Sequence, residues 1–390
     1  MNRVKQWFGE IDWRQFGIVS YYAYFAINVL AKAFAYDSGD NIYKYFMYTG
    51  IFFLAIKLVT TKYTLRELLI CCIFLGMGLT MYIVTKSATM LLLFLTIMGL
   101  KDCKFGRLIQ MSVYIRMVVA LIMVIGSVYG IFDIGYKTKP DTNYIEMPVY
   151  SFGFNEPNMA FLTIFILLMV LLYYNYERLN ALWFLTTAAV AFLFYEWTFC
   201  RTGIAVFLFA WVLIIFDKLV KNKRVKIVLA LSVLVGALFS FCAMVFYAGD
   251  NPLLHLLNHF VSGRIYIMNS YLTDQGLAFF PRNQELFYAS YYGLIDNCYM
   301  FMLLYGGWIM AIAYLVVMCA AMYRLYEKEC YRELVMISVF ALYGVLEQFV
   351  MNAFMNPFIL LAGILLYPGL LETEKGRKKA YGKLPYPANS

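Results

Sequence analysis

Three arginines outside the long apolar segments are the first candidates for chemistry. Arg201, Arg264 and Arg282 lie where other basic residues are sparse, and glycine or polar residues flank each of them. A guanidinium is always charged, and its donors fork onto phosphate oxygens. Contact with lipid headgroups explains any one of these arginines taken alone. Three together favour a site that binds the diphosphate of a lipid carrier.

A second candidate is the segment GFNEPN at 153–158. Pro157 is favoured at the first turn of a helix, with Asn155 as its cap, so a helix start alone explains the motif. The functional alternative rests on Glu156 and Asn158. A carboxylate and an amide that face an outer cavity can hold sugar hydroxyls, and we predict substrate binding by both.

Asp296 and Asn297 stand at the start of a later apolar segment. The helix dipole favours an acid at a helix N-terminus, so capping is a sufficient explanation. The functional alternative is a carboxylate that accepts a proton from an attacking hydroxyl. The residues themselves leave both interpretations open.

His255 and His259 lie four residues apart in LLHLLNHFVS (253–262), which has the spacing of a short amphipathic helix. Two imidazoles on one helix face can share a metal ion, but a third ligand is needed and no HExxH pattern is present. We therefore predict polar, substrate-binding groups on an interfacial helix and no metal site.

The elements that position these residues are predicted from composition. Of the 390 residues, 63% are hydrophobic and 14% charged, against about 45–50% and about 25% in soluble chains. This excess of apolar surface requires lipid as solvent, and runs of about 20 apolar residues predict helices. The fold class is thus an all-α polytopic membrane protein with about twelve spans. They are predicted at 16–35, 43–60, 66–84, 87–100, 109–132, 157–174, 181–199, 202–220, 226–247, 296–321, 332–350 and 353–370.

Charge then orients the spans. Most of the 32 Lys and Arg fall in every second segment between spans, and therefore on one side of the membrane. This side is predicted to be the cytoplasm, and both chain ends lie on it. Residues 1–370 form one transmembrane domain, and 371–390 form a basic cytoplasmic tail. Two long outer loops, 133–156 and 248–295 (the latter between spans nine and ten), indicate function, as long loops usually do. The net charge of +9 is therefore a topology signal and does not indicate nucleic-acid binding.

Three ionisable residues lie within predicted spans: Arg116, Glu196 and Glu347. Charges inside a span are costly and usually face a cavity or a partner. A structural pair of Arg116 with either glutamate is expected, and the sequence does not choose between them. No cleavable signal peptide is visible, so the first span is expected to remain as an anchor.

Taken in order, these motifs resemble the Wzy-type polysaccharide polymerases, which are relatives of the O-antigen ligases. The resemblance covers about residues 145–310 at the level of motifs, and the whole chain at the level of topology. It rests on Gly-Phe-x-x-Pro-Asn at 153–158, Arg201-Thr-Gly, Ser-Gly-Arg264, Asp296-Asn297-x-Tyr299 and Gly306-Gly307.

The resemblance implies an all-α membrane glycosyltransferase that joins oligosaccharide repeat units linked to undecaprenyl diphosphate. It implies the outer face of a bacterial cytoplasmic membrane and no cofactor. The implied partners are the lipid-linked oligosaccharide and membrane lipids, together with a chain-length regulator and a flippase.

Carried over by residue, Arg201 and Arg264 match arginines assigned to the lipid diphosphate. Asp296 falls where the related ligases have a histidine that assists the acceptor, which favours a polymerase. Glu156 stands where many relatives have histidine. Asn297 and Tyr299 belong to the matching motif, and together with Arg282 they are predicted to bind substrate.

Two other functions fit the same pattern. A ligase would transfer finished polymer to another acceptor, and a flippase or solute transporter would also have about twelve spans. Transporters usually show internal repeats and broken helices, and no repeat is visible here. The position of the distinctive polar residues outside the spans favours the polymerase.

Overall fold

The computed structural model describes residues 12–37, 39–140, 146–247, 251–283 and 293–371, which are mostly helical. The predicted tail beyond residue 371 lies outside the described residues, as do parts of the two outer loops. The helices are α1 (Trp13–Ala33), α2 (Asn41–Thr60), α3 (Leu65–Thr85), α4 (Thr89–Gly99), α5 (Phe105–Val128), α6 (Pro157–Tyr174), α7 (Ala181–Thr198), α8 (Arg201–Leu219), α9 (Ile227–Ala230), α10 (Ser232–Val245), α11 (Pro252–Phe260), α12 (Arg264–Gln275), α13 (Cys298–Leu304), α14 (Gly307–Glu327) and α15 (Tyr331–Leu346).

Seven helices of the described part are long and apolar enough to cross a membrane. A helix satisfies its own backbone hydrogen bonds, which hydrocarbon requires. By length and composition the chain is therefore a multi-pass membrane protein. The seven are α2, α3, α5, α6, α7, α8 and α14.

The predicted break between residues 84 and 87 is present. Lys86 ends α3 in the left-handed conformation, with φ of 59°, and α4 begins at Thr89. The two helices pack against each other, and Gly78 of α3 allows this because an added Cβ would lie 3.0 Å from the Cα of Leu91.

The predicted span 296–321 is not one helix, because Tyr305 and Gly306 separate α13 from α14. A stretch of the preceding loop, residues 278–282, fills this break. The amide of Trp308 donates to the carbonyl of Ala278 at 2.9 Å, and the amide of Arg282 donates to that of Tyr305 at 2.9 Å. Gly307 has φ of +74°, and a Cβ there would lie 2.7 Å from the Phe279 carbonyl oxygen. We call residues 278–282 the docked strand, although they are not part of a β-sheet.

The last predicted span, 353–370, is not an α-helix. The chain leaves α15 at Leu346 and continues as two 3₁₀ helices, Gln348–Met351 and Pro357–Leu365. Runs of 3₁₀ helix longer than about four residues are uncommon, and this one is enclosed by its neighbours, with Pro357 to Ile364 all buried. Apolar composition predicted burial correctly, but it does not determine the helix type. The predicted span 226–247 is also divided, between α9 and α10 at Leu231.

The outer loop 133–156 departs from the all-α prediction. It contains an antiparallel hairpin of β1 (Tyr136–Pro140) and β2 (Glu146–Tyr150), with Tyr136 opposite Tyr150. The other long loop holds α11 and α12. The predicted amphipathic helix is present as α11, in which no residue is buried.

Charged residues gather at two ends of the bundle. The C-terminal ends of α1, α3 and α15 and the starts of α4, α6 and α13 form one end, which we call the cavity end. The starts of α1, α3, α5 and α15 form the other, which we call the basic end. Each ion pair among the described residues joins groups of one end: at the cavity end Lys32–Asp37, Lys137–Glu156, Arg264–Asp296 and Arg264–Glu347, and at the basic end Arg14–Asp102, Lys101–Glu67, Lys223–Glu329, Lys226–Asp217, Arg324–Glu327 and Arg332–Glu333.

Candidate functional site

A polar cavity of about 470 Å³ lies at the cavity end. Its wall comes from both halves of the chain. The first half contributes some of the residues in 32–37 and 86–89, the start of α6 adds Met159 and Leu162, and the second half contributes some of the residues in 294–305 and 347–355. The acidic and basic side chains in this wall are Lys32, Asp37, Lys86, Asp296 and Glu347.

Arg264 stands behind the cavity wall, in the first turn of α12. Gly263, with φ of +83°, turns the chain from α11 into α12. Two asparagines then fix this helix. The carboxamide of Asn258 accepts from the Tyr266 amide at 2.9 Å, and that of Asn269 donates to the Met244 carbonyl at 2.9 Å.

The guanidinium of Arg264 binds two carboxylates at once. Its Nη2 lies 3.1 Å from Asp296 Oδ2 and 2.7 Å from Glu347 Oε1, and its Nε donates to Asp296 at 3.2 Å. The arginine side chain is only 15% exposed. Burial lowers the pKa of Arg264, but Glu347 and Asp296 raise it further, so the pKa stands above its ordinary value. Arg264 is therefore a permanent cation that holds two carboxylates at the cavity wall. We call these three residues the carboxylate cluster.

Asn297 brings the two carboxylates together. Its side-chain oxygen accepts from the amides of Tyr299 and Met300 at 3.0 Å, which caps α13. Its side-chain nitrogen donates to the Val345 carbonyl at 2.8 Å, near the end of α15. One buried side chain thus joins a helix start to a helix end. Asp296 directly precedes this cap of α13, and Glu347 directly follows the last residue of α15.

This arrangement changes what the sequence suggested about residues 296–299. Asn297, rather than Asp296, is the helix cap, so the carboxylate of Asp296 remains at the cavity. Asn297 is buried, with its carboxamide bonded to other groups of the protein. Tyr299 is also buried, and its hydroxyl donates to the Ala341 carbonyl at 2.9 Å. The structure therefore gives Asn297 and Tyr299 packing and positioning roles.

Sequence reasoning did not assign Glu347 to the site. The expected pairing of Arg116 with either Glu196 or Glu347 is wrong, because Arg116 is fully buried and donates instead to the Phe354 carbonyl and to Ser112. Glu196 is exposed. The missed signal is that a predicted span ends near Glu347, where a charge is less costly than in the middle of a span.

Two amines line the other part of the wall. Lys32 is buried, with its Nζ 3.0 Å from Asp37 and 3.0 Å from the Tyr36 carbonyl oxygen, and it lies 4.4 Å from the centre of the Tyr43 ring. Lys86 is exposed to the cavity. Among the described residues it forms no ion pair.

The other predicted arginines lie outside the cavity wall. Arg201 is exposed at the start of α8, where its guanidinium carbon is 5.8 Å from the Phe199 ring centre. Arg282 belongs to the docked strand and donates to the carbonyls of Gln275 and Gly276 at 2.5 and 3.2 Å, so it closes the end of α12. None of Arg201, Arg264 and Arg282 is among the residues that line this cavity, and their predicted role in binding a diphosphate stays a prediction.

Glu156 and Asn158 lie beside the hairpin, at the start of α6. Both are exposed, and Glu156 forms an ion pair with Lys137 at 2.6 Å. A second open cavity of about 390 Å³ lies against the hairpin and includes Asp133 and Asn155 in its wall. The predicted role of Glu156 and Asn158 in sugar binding stays a prediction.

His255 and His259 are exposed on α11. Leu253, Leu256 and Phe260 are also exposed on this helix, at the i, i+3 and i+7 positions of one apolar stripe. Within the described ranges, no three His, Cys, Asp or Glu side chains are grouped in a way that could hold a metal ion.

The cavity therefore combines proton acceptors with cations. Asp296 and Glu347 can accept a proton from a hydroxyl, and the amines of Lys32 and Lys86 can meet an anionic group. Comparison of the chain with protein-family models, curated proteins and solved structures finds no match in any of the three.

Proposed function

We propose that this protein is a polysaccharide polymerase that joins undecaprenyl-diphosphate-linked oligosaccharide units at the outer face of the bacterial cytoplasmic membrane. The carboxylate cluster carries the proposal. Two carboxylates held by one buried arginine line a polar cavity at the end of an apolar helical bundle. The apolar surface of the bundle suits the hydrocarbon chain of a lipid carrier, and the polar cavity suits the hydroxyls of a sugar acceptor.

The proposed topology has about twelve membrane crossings, both termini cytoplasmic and the cavity end outside. The basic end then faces the cytoplasm, in agreement with the excess of lysine and arginine on that side. The segregation of ion pairs between the two ends supports the alternation of the helices, because each ion pair in the described part of the chain joins residues of one predicted side.

In the proposed reaction, an acceptor sugar hydroxyl attacks the anomeric carbon of the donor. The bond from that carbon to the diphosphate oxygen breaks, and undecaprenyl diphosphate leaves. The hydroxyl proton passes to a carboxylate, either Asp296 or Glu347. The donor is already activated, so catalysis depends on alignment and on stabilising the charge that develops on the leaving group.

A lipid-linked oligosaccharide transporter is the second candidate. The observation that favours it is the meeting of two irregular segments at the cavity. These are the α13–α14 pair, broken at Tyr305 and Gly306, and the 3₁₀ stretch after α15. Transporters place substrate sites at such breaks.

Deletion of the gene, followed by analysis of the surface glycan, tests the proposal. Loss of a polymerase reduces the glycan ladder to single repeat units. Loss of a flippase removes outer glycan altogether, and loss of a ligase leaves long polymer unattached. Complementation with Arg264→Ala should leave the single-unit pattern, because the two carboxylates lose their shared cation. Normal polymer from an Arg264→Ala protein that accumulates in the membrane would refute the assignment.

A further inference from the structure

The cations and the carboxylates of the cavity wall come from different parts of the chain. Lys32 lies at the end of α1, and Lys86 lies in the turn between α3 and α4. Asp296 and Glu347 both belong to the second half of the chain and share Arg264. A ligand with an anionic group and a hydroxyl-bearing group is complementary to such a wall.

Arg264 is poorly suited to receive the anionic group. Two carboxylates within 3.2 Å already engage its Nε and Nη2, and the remaining Nη1, which has no hydrogen-bond partner among the described residues, is buried. A phosphate that displaced either carboxylate would leave that carboxylate unpaired beside the ligand, which costs free energy. Lys32 is also engaged, since Asp37 lies 3.0 Å from its Nζ.

Lys86 is the wall cation that remains available. It is exposed to the cavity, and within the described residues no carboxylate lies in ion-pair contact with it. Its backbone is fixed, because its amide donates to the Tyr82 carbonyl at the end of α3. The hydroxyl-bearing residues Ser87 and Thr89 line the same part of the wall. The Ser87 hydroxyl donates to the Thr89 hydroxyl at 3.3 Å, and either hydroxyl can rotate to donate to a phosphate oxygen.

We propose that Lys86, with Ser87 and Thr89 beside it, binds the diphosphate of the lipid-linked donor, and that Arg264 instead positions the two carboxylates. This inference rests on the proposed function for the identity of the ligand. It assigns the donor diphosphate to the α3–α4 turn and the acceptor hydroxyl to the carboxylate cluster.

Binding of undecaprenyl diphosphate to the purified full-length protein in detergent tests the assignment. Lys86→Ala should weaken the affinity roughly 10- to 100-fold, the range for one hydrogen bond to a charged group. Lys86→Arg should retain most of it. Lys44→Ala is the matched control, because Lys44 is an exposed lysine of α2 outside the cavity wall. The affinity of this variant for undecaprenyl diphosphate should stay at the wild-type value.

Wild-type affinity in Lys86→Ala would overturn the proposal. A parallel titration with phosphatidylglycerol separates the two lipid sources of phosphate. An equal loss of phosphatidylglycerol affinity in Lys86→Ala would identify a general headgroup site and would also overturn the donor assignment. A different result would refute the proposed function alone. In that case the deletion strain keeps its long glycan, while Lys86→Ala still weakens the binding of undecaprenyl diphosphate.

Discussion

The two ends of the bundle use the same kinds of charged residues in different ways. At the basic end, Lys226 lies 2.5 Å from Asp217, and the Tyr176 hydroxyl donates to the same carboxylate at 2.7 Å. At the cavity end, Asp296 and Glu347 also share a basic partner, but they face about 470 Å³ of open space. Ion pairs alone therefore do not identify a site. Charged groups that border open space do.

A second cluster at the basic end supports this distinction. Glu333 is fully buried, accepts from the Tyr173 hydroxyl at 2.8 Å and pairs with Arg332 at 3.1 Å. The guanidinium of Arg332 also lies 4.1 Å from the Tyr173 ring centre. None of these three residues borders the polar cavity, which indicates a structural role.

The strongest test of the comparison removes the charge of one cavity carboxylate. Glu347→Gln or Asp296→Asn keeps the shape of the side chain but removes the proton acceptor. In the variant that has lost the proton acceptor, polymer formation per molecule should fall roughly 100- to 10,000-fold, the usual contribution of acid–base catalysis. The measurement is glycan chain length and amount in complemented cells, normalised to membrane-bound protein.

Asp274→Asn is the control for this pair of variants. Asp274 is an exposed carboxylate on the same helix as Arg264 but outside the cavity wall. Its polymer should match that of the wild type. Full activity in both Glu347→Gln and Asp296→Asn would remove the functional distinction between the two ends.

A variant of the basic end should show the opposite behaviour. Asp217→Ala leaves Lys226 buried without its carboxylate, which should cost about 3–5 kcal/mol of stability. Thermal unfolding in detergent measures the loss, and polymer per folded molecule should stay unchanged. Arg324→Ala breaks the exposed pair with Glu327 and should cost about 0–1 kcal/mol. A loss of activity per folded Asp217→Ala molecule as large as that of Glu347→Gln would contradict the structural role.

A smaller loss of stability than that of Asp217→Ala is expected from a change of the backbone beside the cavity. Gly307→Ala should lower stability by about 1–3 kcal/mol, because a positive φ is strained for alanine and its Cβ meets the Phe279 carbonyl. Increased proteolysis near the docked strand and a lower unfolding temperature would report the change. Gly106→Ala in α5 meets no atom within 4 Å, so its stability should not fall. Equal stability of the two variants would count against docking of residues 278–282.

The sequence predicted the membrane class, the break at Lys86 and the amphipathic α11, because each depends on local composition or spacing. It also placed Arg264 and Asp296 in one loop region. It did not predict Glu347 as their partner, since that contact joins residues 83 positions apart through the end of a helix. Nor did it predict the 3₁₀ helix at 357–365, because only packing against neighbouring helices determines its form.

The docked strand has a consequence for how the protein is made. A broken helix is tolerated at membrane depth only where other protein groups bond to its free backbone. Residues 278–282 supply those groups at the break between α13 and α14. They are synthesised before the helices they complete, so in the proposed topology they have already crossed the membrane when α13 and α14 insert. Chain order thus provides the backbone partner before the break requires it.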